Sequence, residues 1–116
     1  MDNTPASQLP IEISCDVVKS KFDGGEDLVL IDCRERDEYE LVHLDHAQLW
    51  PMSELESRTD ELESLRGKPL VVFCHHGGRS LRVTHWLRRL GFASAQSMAG
   101  GIDRWASHID PTLPRY

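Results

Sequence analysis

The apolar run LVVFC, residues 70–74, constrains the fold more than any other stretch of the sequence. A continuous apolar run of this length is typical of a strand that is covered on both faces. A second run, DLVLIDC at residues 27–33, has the same character. Strands covered on both faces belong to parallel sheets whose connections are helices. The two runs therefore predict an α/β fold with a mostly parallel sheet.

The segments between these runs predict the other elements. Short strands are predicted at residues 47–51 and 94–98, and helices at residues 36–42, 79–92 and 100–109. The helix over residues 79–92 has one apolar face, which consists of Val83, Trp86, Leu87 and Leu90.

Two further helices are predicted from their N-terminal residues. Ser14 is the expected N-cap of a helix that ends at residues 24–25, with Val17, Val18 and Phe22 directed inward. Ser53 and Glu56 have the spacing of a capping box for a helical stretch that ends near residue 67.

Length and composition predict one globular domain over residues 11–116, preceded by a flexible leader over residues 1–10. No apolar run approaches the roughly 20 residues of a membrane span, and the first residues lack the pattern of a secretory signal. Three cysteines, an odd number without paired spacing, argue against a disulfide scaffold and favour a reducing compartment. We therefore expect a cytoplasmic protein that does not bind membranes.

The net charge of −6 is distributed unevenly. Residues 1–63 carry 17 acids and 5 bases, whereas residues 64–102 carry six bases and no acid. The overall acidity argues against nucleic acid as a partner. The basic segment surrounds Cys74 and suits a small anion bound there. A solvated helix face explains part of that charge equally well, through Arg82, Arg88 and Arg89.

The sequence CHHGGRS, which follows the central strand, predicts a reactive cysteine. Cys74 ends the strand, at the edge of a parallel sheet where ligands bind. Gly77 and Gly78 allow backbone amides to turn inward, and the next helix directs its positive end at the same point. Such surroundings lower a thiol pKa from about 8.5 into the range of roughly 3.5–7.5. Arg79 adds a fixed positive charge and a bidentate fork for an oxyanion.

Two alternatives compete with a cysteine nucleophile. Cys74 could be a core residue at the end of a strand, but packing alone does not explain the glycines and arginine that follow it. A zinc site is disfavoured because Cys74, His75 and His76 are consecutive and cannot easily converge on one ion. We therefore predict no metal site. The two histidine side chains either assist at the site or line its rim, and their backbone amides are expected to contribute in both cases.

Four stretches of the sequence together resemble the rhodanese, or sulfurtransferase, family. They are LVLIDCRERDEYELVHLDHA, VVFCHHGGRS, MAGGIDRW and the ending IDPTLPRY. The last resembles the tail of rhodanese domains fused to ubiquitin-like-activating adenylyltransferases. The resemblance implies a three-layer sandwich with helices on both faces of the sheet.

The resemblance also implies a reaction and a site. Cys74 would be the nucleophile that accepts a sulfane sulfur and becomes a persulfide. Substrate-binding residues would be those of the loop that cradles this sulfur: His75, His76, Gly77, Gly78, Arg79 and Ser80. Arg79 would bind the sulfonate end of a donor such as thiosulfate, or fix the shape of the loop. No cofactor is implied, and the acceptor would be a thiol or cyanide.

Two other functions remain open at this point. The domain could be a persulfide carrier or docking module, loaded by a cysteine desulfurase and serving cofactor or tRNA thiolation through a sulfur-accepting protein. A phosphatase or arsenate reductase is less favoured. Cysteine phosphatases of this fold place five residues between nucleophile and arginine, whereas four lie between Cys74 and Arg79. The shorter loop implies a smaller pocket.

Residues outside the loop are expected to support it. Asp32 and Arg34 could be a catalytic acid and an anion anchor, but the resemblance implies that they tie the end of a strand to neighbouring loops. Glu38 could serve as a partner for Arg34. Cys33 is expected to be a core residue, and a resolving-thiol role would require it to lie near Cys74. The chain departs from the family pattern Gly-His-Ile-x-Gly-Ala at residues 42–47, where neither glycine is present. The backbone of that turn is therefore expected to be either less tight or unusual in φ.

Overall fold

A computed structural model describes residues 9–116 and contains one five-stranded parallel sheet. The sheet order is β1-β5-β4-β2-β3. The strands are β1 (Glu12–Ile13), β2 (Val29–Asp32), β3 (Ala47–Leu49), β4 (Leu70–Phe73) and β5 (Gln96–Met98). Most of the predicted leader, residues 1–8, lies outside the described part. At its end, the Pro10 carbonyl accepts hydrogen bonds from Arg88 and Gln96.

Five α-helices connect or follow the strands. They are α1 (Cys15–Asp23), α2 (Arg36–Leu41), α3 (Thr59–Leu62), α4 (Gly78–Arg89) and α5 (Gly101–His108). Short 3-10 turns flank α3, at Met52–Glu54, Glu56–Arg58 and Glu63–Leu65. No helix within residues 9–116 is long and apolar enough to cross a membrane.

Alternating residues of the central strands face two separate apolar layers. Leu30 and Val71 pack with residues of α1 and α5 on one face of the sheet. Ile31 and Val72 pack with α4 and the turns before β4 on the other. The alternation explains the continuous apolar runs, because both faces of the strands are covered. The predicted α/β sandwich with a parallel central sheet is confirmed.

The predicted inward faces of α1 and α4 are partly wrong. Val18 is fully buried, but the side chains of Val17 and Phe22 are 45% and 37% exposed. α1 contributes only a narrow stripe to the core, completed by Cys15. In α4, Val83 and Leu87 are buried, whereas Leu90 follows the last helical residue and is 37% exposed.

The predicted capping box of Ser53 and Glu56 is also wrong. Ser53 lies within a 3-10 turn, and its amide and hydroxyl both donate to the Glu35 carboxylate. The segment before β4 is broken into single turns instead of one helix. A capping box does form, but at the start of α2, between Glu35 and Glu38.

The turn after α2 has an ordinary backbone despite its missing glycines. Val42 is extended, with φ at −163°. No residue other than glycine has a positive φ within residues 9–116. An unusual φ is therefore not found there, because this chain makes the turn without a left-handed residue.

Candidate active site

Cys74 lies at the carboxyl end of β4, where the sheet meets the N-terminus of α4. Its side chain is buried, and its Sγ accepts hydrogen bonds from the amides of Gly77, at 3.1 Å, and Ser80, at 3.4 Å. The Ser80 hydroxyl lies 3.5 Å from the same sulfur and is held by Ser97 at 2.8 Å. Three polar groups of the loop therefore surround one sulfur atom.

Glycines shape the loop from both sides. Gly77 has φ at +123°, a conformation that L side chains rarely adopt, and it turns the chain from β4 into α4. Behind the loop, a Cβ on Gly101 would lie 2.3 Å from the Cys74 carbonyl oxygen. That close approach lets the first amides of α5 brace the loop. Ile102 donates to the Cys74 carbonyl at 2.9 Å, and Asp103 to the His75 carbonyl at 3.1 Å.

The surroundings of Cys74 stabilise its thiolate and lower its pKa to about 4. The neighbouring Cys33 thiol is the largest cause, and burial opposes it. The Ser80 hydroxyl and the amides of Ser80 and Gly77 act in the same direction as Cys33. The other two cysteines differ: burial raises the pKa of Cys15 to about 11, and the adjacent Cys74 and burial raise that of Cys33.

Alkylation by iodoacetamide should therefore select Cys74. Its rate is expected to rise with pH around a midpoint near 4, because the thiolate is the nucleophile. Cys15 and Cys33 should remain unmodified at neutral pH in the folded protein. Peptide mass mapping across a pH series measures both results. A midpoint near the ordinary thiol value of about 8.5 would show that the surroundings of Cys74 do not stabilise its thiolate.

Arg79 closes the loop and is held in place by an ion pair with Glu38. Its Nη1 and Nη2 donate to the two carboxylate oxygens of Glu38 at 2.6 and 2.8 Å. This pairing with Arg79 is the main cause that lowers the pKa of Glu38 to about 2. Of the two roles implied for Arg79, the geometry favours fixing the loop over binding a sulfonate.

Arg34 is held by the Asp32 side chain and by main-chain carbonyls of α2 and the residue that follows it. Its guanidinium donates to both oxygens of Asp32, at 2.9 and 2.7 Å, and both side chains are fully buried. It contacts Glu38 only through the main-chain carbonyl, at 3.2 Å. Glu38 is thus a partner of Arg34 as predicted, but through its main chain, while its carboxylate binds Arg79. The complete burial of Asp32 and Arg34 agrees with the structural role expected for them.

The two histidines occupy different positions at the rim. His75 is half-buried and stacks on both His76 and Tyr116, with ring centroids 3.8 and 3.9 Å apart. His76 is exposed, and its Nε2 lies 3.7 Å from the Asp103 carboxylate. The ligating atoms of His75, His76 and Asp103 lie within 4.8 Å of one another. Both oxygens of Asp103 are occupied by Arg115, at 3.0 Å each.

An open cavity of about 490 Å³ leads from solvent to Cys74. It is lined by Cys74, His75, His76, Gly78, Arg79 and Arg82. The sequence did not assign Arg82 to the site, although the basic segment around Cys74 was a signal for it. Arg88, by contrast, binds the carbonyls of Ala95 and Pro10 and is structural.

The assembled site can perform nucleophilic chemistry on a small electrophile. A thiolate held by inward amides at a helix N-terminus is an activated nucleophile. The same donors would stabilise negative charge on an atom bonded to that sulfur. Arg82 gives the cavity a positive side chain, which favours an anionic substrate.

Comparison with known proteins places this geometry in a family. The sequence of residues 14–108 matches the family model of the rhodanese-like domain. A maize adenylyltransferase and sulfurtransferase, MOCS3-2, is 35% identical over 90% of this chain, which spans only 23% of that protein. Thiosulfate sulfurtransferase GlpE of Coxiella burnetii is 33% identical, over 71% of this chain and 75% of GlpE.

A solved structure shows the same fold. The human single-domain sulfurtransferase TSTD1 superposes with a TM-score of 0.75 at 28% identity, over 86% of this chain and 98% of the human chain. The chain therefore belongs to the rhodanese-like family.

Proposed function

We propose that the protein is a sulfurtransferase that carries a sulfane sulfur as a persulfide on Cys74. The proposal rests on one observation: the Cys74 sulfur accepts hydrogen bonds from the Gly77 and Ser80 amides. With thiosulfate as donor, the Cys74 thiolate attacks the outer sulfur. The S–S bond of thiosulfate breaks, and sulfite leaves with the bonding electron pair. Cys74 then holds the terminal sulfur as a persulfide anion.

The second half of the cycle returns Cys74 to its thiolate. Cyanide or a thiolate acceptor attacks the terminal sulfur, and the electron pair of the persulfide bond returns to Cys74. The product is thiocyanate or the persulfide of the acceptor. The site carries one negative charge in both states, on Sγ of the thiolate and on the terminal sulfur of the persulfide, and the loop amides would stabilise it in each.

The loop residues divide these tasks between them. Gly77 and Ser80 stabilise the sulfur, while Arg79 keeps the loop closed through Glu38. Arg82 attracts the anionic donor into the cavity. The exposed His76 meets substrates at the rim, and the six-residue span from Cys74 to Arg79 favours a sulfur atom over a larger phosphoryl group.

A carrier that exchanges sulfur with protein partners is the second candidate. A mostly apolar cavity of about 220 Å³ lies alongside the Cys74 cavity and shares Arg82 with it. Its other residues are Met52, Ser53, Leu55, Glu56, Val83 and Trp86. An apolar surface beside the reactive sulfur suits a protein donor or acceptor. This candidate predicts slow turnover with free thiosulfate and fast transfer from a protein persulfide.

Steady-state assays distinguish these functions. Thiosulfate and cyanide should give thiocyanate, and an aryl phosphate should give no hydrolysis that depends on Cys74. Fast sulfur transfer from the persulfide of a cysteine desulfurase, with little from thiosulfate, would favour the carrier. Aryl phosphate hydrolysis at a rate above sulfur transfer from every donor would overturn the proposal in favour of a phosphatase.

A further inference from the structure

The last seven described residues fold back onto the candidate active site. Leu113 packs against the apolar layer that contains α1 and α5. Arg115 forms a two-bond ion pair with Asp103, in the first turn of α5. These two attachments bring the Tyr116 side chain between α2 and the loop that follows Cys74.

Tyr116 contacts that loop and its support in two ways. Its phenol ring stacks on the His75 ring, with centroids 3.9 Å apart and planes 9° apart. Its hydroxyl donates to Glu38 Oε2 at 2.7 Å and accepts from Arg34 Nη1 at 3.1 Å. A single side chain of the tail thus joins two other parts of the chain, residues 34–38 and the loop at His75.

The partners of Tyr116 hold both ends of the loop. His75 follows Cys74 directly, and Arg79 closes the loop through its ion pair with Glu38. Arg34 is anchored in turn by Asp32, and both side chains of that pair are fully buried. The Tyr116 hydroxyl therefore connects a rigid buried ion pair to the half-buried pair that closes the loop.

We propose that Tyr116 is a positioning residue of the site: it fixes the loop around Cys74 through its ring on His75 and its hydroxyl between Arg34 and Glu38. The proposal rests on the proposed sulfurtransferase function, because the loop it fixes is the one that would hold the persulfide. Tyr116 does not contact the Cys74 sulfur. It acts on the direction of the Gly77 and Ser80 amides, which are the donors to that sulfur.

The two contacts of Tyr116 can be separated by substitution. Tyr116→Phe keeps the ring on His75 and removes the hydroxyl, whereas Tyr116→Ala removes both. Thr112→Ala is the matched control, because Thr112 lies in the same tail and, within residues 9–116, hydrogen-bonds only to Asp110. Thermal unfolding of all three variants shows whether each is folded before the site is tested.

The first measurement is the pH midpoint of Cys74 alkylation by iodoacetamide. We expect Tyr116→Ala to raise the midpoint by about 1 pH unit, because loosened amides stabilise the thiolate less. Tyr116→Phe should raise it by about half as much, and Thr112→Ala should leave it unchanged. Tyr116 is itself neutral in this range, with a pKa raised to about 12, so the shift cannot come from a lost charge.

The second measurement is sulfur transfer at saturating thiosulfate. Tyr116→Ala should lower kcat about 10-fold with a smaller change in KM, because the loop serves the reacting sulfur more than donor binding. A folded Tyr116→Ala protein with an unchanged alkylation midpoint would overturn the proposal. If Tyr116→Ala does not fold, an unchanged midpoint in Tyr116→Phe would overturn it. The midpoint is measured without a sulfur donor, so failure of sulfur transfer in the unsubstituted protein would contradict the proposed function alone.

Discussion

Replacing Cys74 with serine is expected to abolish sulfur transfer, with a loss of at least about 10⁴-fold in kcat. The Cys33 thiol, together with the Ser80 and Gly77 donors of the loop, lowers the pKa of the Cys74 thiol to about 4, so the sulfur is a thiolate at neutral pH. A serine hydroxyl remains protonated there, and no histidine hydrogen bond to Cys74 is present within residues 9–116 to remove its proton. The measurement is thiocyanate formation from thiosulfate and cyanide.

Cys15→Ser is the control for this substitution. The Cys15 sulfur lies near the carbonyls of Ala99 and Gly101, at 3.6 and 3.8 Å, and a serine hydroxyl can use the same acceptors. This variant should keep at least about half of the activity. Sulfur transfer that persists in Cys74→Ser, or disappears in Cys15→Ser, would contradict Cys74 as the sulfur-bearing residue.

Gly101→Ala is expected to lower the free energy of unfolding by about 3–5 kcal/mol. Its φ of +60° is costly for alanine, and its Cβ would lie 2.3 and 2.5 Å from the Cys74 and His75 carbonyl oxygens. Those atoms are backbone and cannot rotate away. The loop must therefore move off α5, which breaks the hydrogen bonds from the Ile102 and Asp103 amides. Denaturant unfolding measures the change in stability.

Gly67→Ala is the control that separates two causes of the stability loss in Gly101→Ala: the positive φ of the backbone and the steric clash of the new Cβ. Gly67 also has a positive φ, of +83°, but no neighbouring atom lies within 4 Å of its Cβ position. We expect a loss of only about 1–2 kcal/mol there. Equal losses of stability in the two variants would show that the close packing of α5 on the loop contributes nothing to the effect of Gly101→Ala.

The parts of the fold that the sequence predicted well are those with local signals. Leu70–Phe73 and Val29–Asp32 are continuous apolar strands because both of their faces are covered. Ser14 does cap α1, and its hydroxyl accepts from the Val17 amide. The turn between Cys74 and Ser80 could also be predicted from the sequence, because all of its residues are contiguous and its glycines indicate a turn.

The errors arose where tertiary contacts compete with local preferences. Ser53 has the spacing of a helix cap, but its hydroxyl binds Glu35, 18 residues away. Val17 and Phe22 fit a helical stripe, yet the short α1 covers too little of the sheet to bury them. Periodicity indicates which residues share a face, but not how wide a face the neighbouring layer covers.

The supports of the site could not be predicted because they come from distant segments. Glu38 carries an ordinary helical signal, and nothing in the sequence pairs it with Arg79, 41 residues later. The contact of Tyr116 with Glu38 spans 78 residues. Gly101 lies in the stretch MAGGIDRW that resembles the family, but its approach to the Cys74 carbonyl depends on how α5 packs.

The position of Arg79 changes how the loop is expected to bind a donor. Both Arg79 and Arg82 line the open cavity, but the Arg79 guanidinium is paired with Glu38. In the proposed function, the backbone amides would therefore bind the sulfur, and the exposed Arg82 would attract the anionic donor. This division suits a site that accepts sulfur from more than one type of donor, because the amides bind only the transferred atom.

The most direct test of a persulfide on Cys74 is the intact mass of the protein before and after incubation with thiosulfate. The expected result is a gain of one sulfur atom per chain, located on Cys74 by peptide mapping and removed by cyanide. Cys74→Ser should show no gain. If thiosulfate and a protein persulfide donor both leave the mass unchanged, or if the added sulfur lies on Cys15 or Cys33, the proposed role of Cys74 is contradicted.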